Sequence, residues 1–465
     1  MAVKKSGGPI VSKEISMTSG SIPRQMIAFA VPVFLGQLFQ QLYNTVDSLI
    51  VGQMLGSHAL AAVSSSGNLI QLLVGFFNGM AMGASVVISQ HFGAKEYGEV
   101  HKAVHTDIAL GIVVSIFLSF LGTWAAPILL EWMGTPPEVM VNSVEYFAIY
   151  FAGISGLIMY NMLSGIMRAV GDSRHPLYFL IISSIVNVFL DILFIGPLGM
   201  GVGGAALATV IAQLLSTFMA LWTLCRSKDV VRVKLTKIRF HWNALYQIVR
   251  YGIPTGISNS IISLANVVVQ SKINAFGPEA MAGCGAYSKL EGFAFLPIMS
   301  FNLAITTFVG QNIGAGNYER TLKGAKFGIL CAVGAAELVG IIFFLFAPQL
   351  VALFDNNPDV IQFGADRARC NALFYFLLAY SHAISAVIRG GKPTIPMFVM
   401  MIFWCGVRVT FLQLTAGFHN VWLVYWVYPL TWALSSAFFA WYYPRKTWLY
   451  PKGSVPEMKT ETVSA

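Results

Sequence analysis

Twelve stretches of this chain are each about as long as a bilayer core is thick and carry almost no charge. A helix needs about 20 predominantly apolar residues to cross a bilayer. The stretches fall near residues 27–50, 67–89, 107–129, 144–166, 177–196, 203–224, 252–274, 292–312, 325–346, 370–388, 395–415 and 421–443. Hydrocarbon offers no water to an open backbone, so runs like these must be helical. They predict an all-α integral membrane protein with twelve transmembrane helices. Composition agrees: 56% of the 465 residues are hydrophobic and 11% are charged, against about 25% charged in a soluble domain.

Twelve crossings put both termini on one side. If that side is the cytoplasm, all but five of the 29 Lys and Arg lie there, the exceptions being Lys272, Lys289, Arg367, Arg369 and Arg408. The positive-inside rule therefore expects cytoplasmic termini. The surplus of positive charge, +9, is assigned to topology and to contact with anionic lipid, with no call for nucleic acid. The expected organisation is a cytoplasmic tail (1–24), a first lobe (25–224), a basic cytoplasmic linker (225–251), a second lobe (252–443) and a cytoplasmic tail (444–465). The first 20 residues are polar and lack the apolar core of a signal peptide, so the first span is expected to target the chain; a bacterial plasma membrane fits. Trp441, Tyr442, Tyr443 and Trp448 beside Arg445 and Lys446 are expected to form an interfacial aromatic belt. The five cysteines show no paired spacing and read as small apolar fillers.

The two halves repeat. "SQHFGAKEY" (89–97) resembles "GQNIGAGNY" (310–318) at an offset of 221, which also carries Ala59 and Ala61 onto Ala280 and Ala282, and Arg168 onto Arg389. Pro32 falls one residue short of Pro254. Each half holds an even number of spans, so the repeats run parallel, as two pseudo-symmetric six-helix bundles around a cleft. Such a cleft suits a transporter; a channel is the plainer alternative.

The first span carries an unusual polar set: Gln37, Gln40, Gln41, Asn44, Asp47 and Ser48. Spacings of three and four place them on one side of a helix, which must face protein or water because lipid contact is costly. Interhelical hydrogen bonding is one alternative for the amides, lining a cavity the other; a buried carboxylate needs a partner or a proton. In the fifth span Asn187 and Asp191 are four apart, and the sixth offers Thr209. Two nearby carboxylates in low dielectric do not both stay ionised cheaply, so the set reads as an ion-coupling site titrating as a pair. Oxygen ligands suit H+, or Na+ at Asp47, Asn187 and Asp191, and give no reason to invoke another metal.

The second half breaks the symmetry. The offset maps Asp47 onto Val268, Asn187 onto Arg408 and Asp191 onto Leu412. Coupling is thus expected in the first lobe alone. Arg408 either pairs with a buried acid, snorkels, or contacts an anionic group on a substrate. Glu337 needs a partner, with His382 and Arg408 as candidates. The substrate cavity is expected to be lined by Gln37, Gln40, Gln41 and Asn44 of the first span, with Asn68, Gln71, Phe151, Tyr160, Asn259, Phe301, His382 and Arg408, the aromatic faces able to attract a cationic substrate.

Five stretches, "VDSLIVGQMLGSHALAAV", "GFFNGMAMGASVVISQHFGAKEY", "IMRAVGDSRHP", "NVFLDILF" and "GVGGAALATV", together resemble the multidrug and toxic compound extrusion family. The resemblance runs from about Arg24 to Tyr443. It implies twelve helices in two lobes and cation-driven export of cationic or amphipathic organic compounds. It also implies that Pro32 is where the first helix bends, and that Asp47, Asn187, Asp191 and Thr209 form the cation site. One branch of the family instead uses a glutamate on its seventh helix and an aspartate on its tenth. Here neither helix has an acid, which favours the branch with an amino-lobe site and leaves H+ or Na+ open. No cofactor is expected, and a monomer is.

The alternative is a flippase for lipid-linked glycans or other lipids, for which a more cationic cavity is expected. An enzyme is not expected: HExxH, GxSxG and Walker sequences are absent, and "GMGVGG" (199–204) has no strand before it.

Overall fold

The computed structural model describes residues 16–132, 135, 137–392 and 395–449. Among these the chain is helical: α1 Ile22–Leu55, α2 Ser57–Gly93, α3 Tyr97–Trp132, α4 Pro137–Ala152, α5 Ser155–Ala169, α6 Arg174–Ile195, α7 Gly201–Arg226, α8 Trp242–Asn274, α9 Pro278–Gly314, α10 Tyr318–Leu345, the short α11 Ala347–Val351, α12 Pro358–Ala372, α13 Tyr375–Gly391, α14 Ile395–Leu414 and α15 Val421–Tyr442. Eight of them are long and apolar enough to cross a membrane alone. The pairs α4–α5 and α12–α13 each make one broken span, bent by 46° and 54°. That makes ten candidate crossings among the described residues; α2 and α14 complete the two sets of six.

The repeat governs the whole architecture. The first and last residues of α2 lie 221 positions before those of α9. The starts of α3 and α10, and of α4 and α12, keep the same offset, and both broken spans bend at equivalent places. The expected linker is shorter than its sequence range, because α7 continues to Arg226 and α8 begins at Trp242.

The lobes meet along glycines. A Cβ on Gly79 would stand 2.2 Å from the backbone N of Gly256, and one on Gly83 would stand 2.5 Å from that of Gly252. Each helix therefore presents a pair of glycines four residues apart, letting α2 and α8 cross backbone to backbone. Further along, a Cβ on Gly93 would meet the Gln311 carbonyl at 1.8 Å, and one on Gly314 the Gln90 carbonyl at 1.9 Å. These contacts lie at the ends of α2 and α9 on the side of the chain termini.

Two symmetry-related glutamines close that end reciprocally. Gln90 Nε2 donates to the carbonyls of Gly390 and Gly391 at 2.8 and 2.9 Å. Gln311 Nε2 donates to the carbonyl of Ala169 at 2.8 Å. Residues 17–20 lie across the seam. Met17 N donates to Gln311 Oε1 at 2.8 Å, and Arg320 Nη1 donates to the Gly20 carbonyl at 2.7 Å. The lobes are thus sealed on the terminus side.

Trp448 departs from the expected belt. It is buried and stacks on Tyr443 with centroids 5.5 Å apart. Trp441 is exposed and holds the Arg445 guanidinium 3.5 Å above its ring.

Candidate functional site

In the first lobe, α1, α6 and α7 bring the four expected residues to one buried place. Asp47, Asn187, Asp191 and Thr209 are all buried, Asp191 completely. The two carboxyls lie close enough for their charges to interact. Among the described residues, both oxygens of Asp191, Oδ1 of Asp47 and both polar atoms of the Asn187 side chain have no hydrogen-bond partner. Buried polar atoms are rarely left so. Beside them a cavity of about 10 Å³ is lined by Tyr43, Asn187, Thr209 and Gln213 among others, room for about one water. Gln213 Nε2 donates to the Tyr43 hydroxyl at 3.4 Å. Tyr43 and Gln213 were not among the expected residues. Their signal was present, each lying four residues from an expected member, Asp47 and Thr209, on the same helix face.

The polar set of α1 does not stay together as one stripe. Asp47 and Tyr43 turn into the first lobe, on the face where Gly36 packs against Leu177 and Leu180 of α6. Gln37 instead accepts from the Ser300 hydroxyl of α9 at 3.2 Å, and Gln41 abuts Gly292 of the same helix. Asn44 is exposed and Gln40 half-buried, and the Ser48 hydroxyl donates back to the Asn44 carbonyl. The positions follow 3.6 residues per turn, so over three turns a set spaced by threes and fours spreads across two faces. Pro32 lies inside α1, where its ring leaves one backbone carbonyl without a helical partner.

The second lobe holds a larger cavity of about 580 Å³, within the usual range for ligand sites. Asn259, His382 and Arg408 line it as expected, and Gly75 and Asn78 of α2 contribute from the first lobe. Tyr160 belongs elsewhere: it is buried, and its hydroxyl donates to the Pro176 carbonyl at 2.9 Å. Phe151 stacks on Phe147, and Phe301 packs on the second-lobe core. Neither is among the residues around this cavity. The side chains of Asn68 and Gln71 lie outside the described residues.

Two charged residues of this cavity were missed. Arg367 sits on α12 and Glu291 inside α9; both fall outside the apolar runs that locate the spans. The Arg367 guanidinium lies 5.0 Å from the Tyr287 ring and 5.3 Å from the Tyr428 ring. The Arg408 guanidinium lies 4.4 Å from the same Tyr428 ring and 3.8 Å from that of Trp404. Arg408 Nη1 donates to Asn266 Oδ1 at 2.8 Å. Glu291 accepts from the Tyr287 hydroxyl at 3.0 Å. None of these three forms an ion pair within 4.0 Å among the described residues. Glu337 pairs with neither His382 nor Arg408. Its Oε2 accepts from the backbone N of Phe376 at 3.1 Å, satisfying the first turn of α13 just after the bend.

Comparison with known proteins agrees with this architecture. The sequence matches the MatE family over residues 32–193 and 254–412, more than half of the chain. It is 29% identical to the probable multidrug resistance protein YoeA of Bacillus subtilis, over 94% of this chain and 96% of that one. It is 27% identical to the probable multidrug resistance protein YpnP of the same organism, over 84% and 88%. A solved structure described as the outward-facing conformation of a multidrug resistance MATE family transporter superposes with a TM-score of 0.87 at 23% identity, covering 94% of this chain and 98% of that one.

Proposed function

The chain belongs to the MatE family of multidrug efflux transporters, and on that premise we propose that it is a secondary antiporter. It exports amphipathic organic compounds, organic cations among them, in exchange for H+ or Na+ taken up in the first lobe. It works as a monomer in a bacterial plasma membrane with both termini cytoplasmic. The observation that carries the reading is the buried carboxyl pair of Asp47 and Asp191 with its unpartnered oxygens. A proton or a cation is what such a pair lacks.

The terminus-side seal supports an outward-open state. From there, an ion reaching Asp47 or Asp191 neutralises charge at the base of α1. Its hydrogen bonds rearrange, and the missing amide of Pro32 makes bending cheap. The first lobe narrows and substrate leaves outward; the return to the inward state delivers the ion to the cytoplasm. Each proton contributes about 1.4 kcal/mol per pH unit and about 2.3 kcal/mol per 100 mV. The two together suffice to concentrate a substrate by orders of magnitude.

The test uses proteoliposomes under an imposed pH gradient, with and without Na+. Ethidium and carboxyfluorescein serve as separate dyes, for wild type and Asp47→Asn. Gradient-driven movement of either dye that is lost in Asp47→Asn is the expected result, and the Na+ arm names the ion. Equal movement by the variant would overturn the coupling assignment.

A further inference from the structure

The geometry points to the second-lobe cavity as a subsite for the oxyanion of an amphipathic substrate, a carboxylate or a phosphate held by Arg408. This deepens the export reading and rests on it.

Arg408 is 1% exposed and lines the cavity. Its Nε has no hydrogen-bond partner, and no carboxylate lies within 4.0 Å of it among the described residues. In direct contact are two ring faces, one amide and one hydroxyl, that of Thr431 at 3.4 Å; Glu291 stands further off, where its charge still acts on the guanidinium. Ring faces offset only part of the cost of burying a charge. A second guanidinium, Arg367, lies 5.3 Å from the same Tyr428 ring and also keeps an Nε without a partner among the described residues. The one acid in the lining, Glu291, is held by Tyr287. The wall therefore presents two guanidiniums against one carboxyl.

The repeat shows that the scaffold does not need this charge. The position equivalent to Arg408 in the first lobe is Asn187, a neutral amide buried on the equivalent helix. A cation kept at the equivalent place, facing a cavity of about 580 Å³, is suited to a planar oxyanion, which a guanidinium can grip with two parallel hydrogen bonds. The apolar body of the ligand would lie along Phe295 and Phe439, which line the same space.

The test is equilibrium dialysis with the full-length protein purified in detergent and two matched pairs of probes. Riboflavin 5′-phosphate is compared with riboflavin, and naphthylacetate with naphthylethylamine. The anionic member of at least one pair should bind roughly tenfold tighter or more, the worth of a charge-assisted hydrogen bond. Preference in the first pair alone names phosphate, in the second alone carboxylate, and in both the shared oxyanion chemistry. The preference should disappear in Arg408→Gln. In Arg408→Lys, which keeps the charge but not the planar fork, it should fall without vanishing. Equal binding within both pairs overturns the inference, as does a preference untouched in either variant. The export reading fails separately: a protein that prefers the anions yet moves no dye under any ion gradient overturns antiport alone. One that moves dye under a gradient and shows no preference overturns only the oxyanion subsite.

Discussion

The two lobes share one skeleton and differ in what they bury at equivalent points. Where the first holds Asp47, Asn187 and Asp191, the second holds Val268, Arg408 and Leu412. In the first lobe Asn187 borders a space about large enough for a single water, beside the two carboxyls, while in the second lobe Arg408 borders a cavity of about 580 Å³. Small volume with acidic oxygens suits an ion; large volume with guanidiniums and rings suits an organic molecule. A duplicated bundle can divide labour in this way because helix packing depends on the small residues at the crossings. At the terminus-side crossing they match, Gly93 with Gly314, while the buried polar positions differ.

The largest effect expected from that division is at Asp47. Asp47→Asn should abolish the response of transport to an ion gradient, and adding Val268→Asp should not restore it. Recovery in the double variant, read as dye flux in proteoliposomes, would show the lobes to be interchangeable. Next comes the seam that both lobes share. Gly83→Leu forces a side chain onto the backbone of Gly252 and should cost roughly 3 kcal/mol or more, seen as a marked fall in the thermal midpoint. A midpoint within a degree of wild type would mean that the lobes do not touch there.

A smaller effect tests the reciprocity of the terminus-side latch. Gln90→Ala and Gln311→Ala each remove cross-lobe hydrogen bonds worth about 1 kcal/mol. Each should raise cysteine labelling of the terminus-side seam about fivefold. A large effect in one variant and none in the other would break the symmetry. The smallest expected effect is at Glu337→Gln, which weakens the bond to Phe376 N after the bend of α12–α13. A fall of a few degrees in the thermal midpoint is expected, with substrate preference unchanged; altered preference would place Glu337 in the site after all.

Much of this was legible because it was periodic. Apolar runs located the crossings, and one offset located the second lobe from the first. The i, i+4 pair Asn187 and Asp191 needed only one turn of helix to share a face, so its meeting with Asp47 could be anticipated. The amide set of α1 covers three turns, and over that distance Gln37 and Gln41 drifted toward α9. Arg367 and Glu291 escaped for another reason. Hydropathy assigns charge to the ends of spans, but α9 is 37 residues long and α12 starts a broken span before the apolar run begins. A charge buried at such a bend looks like loop in any apolar average. The burial of Trp448 under Tyr443 depended on how the chain folds back after α15, for which local sequence carries no period.

The most direct test of the division of labour reads both properties from the same liposomes. Asp47→Asn and Arg408→Gln are each assayed for gradient response and for preference between riboflavin 5′-phosphate and riboflavin. Loss of gradient response with preference intact in Asp47→Asn, and loss of preference in Arg408→Gln with ethidium flux still answering the gradient, is the predicted result. If Asp47→Asn kept its gradient response, or if it lost the preference while Arg408→Gln retained it, the assignment of ion to the first lobe and substrate to the second would be contradicted.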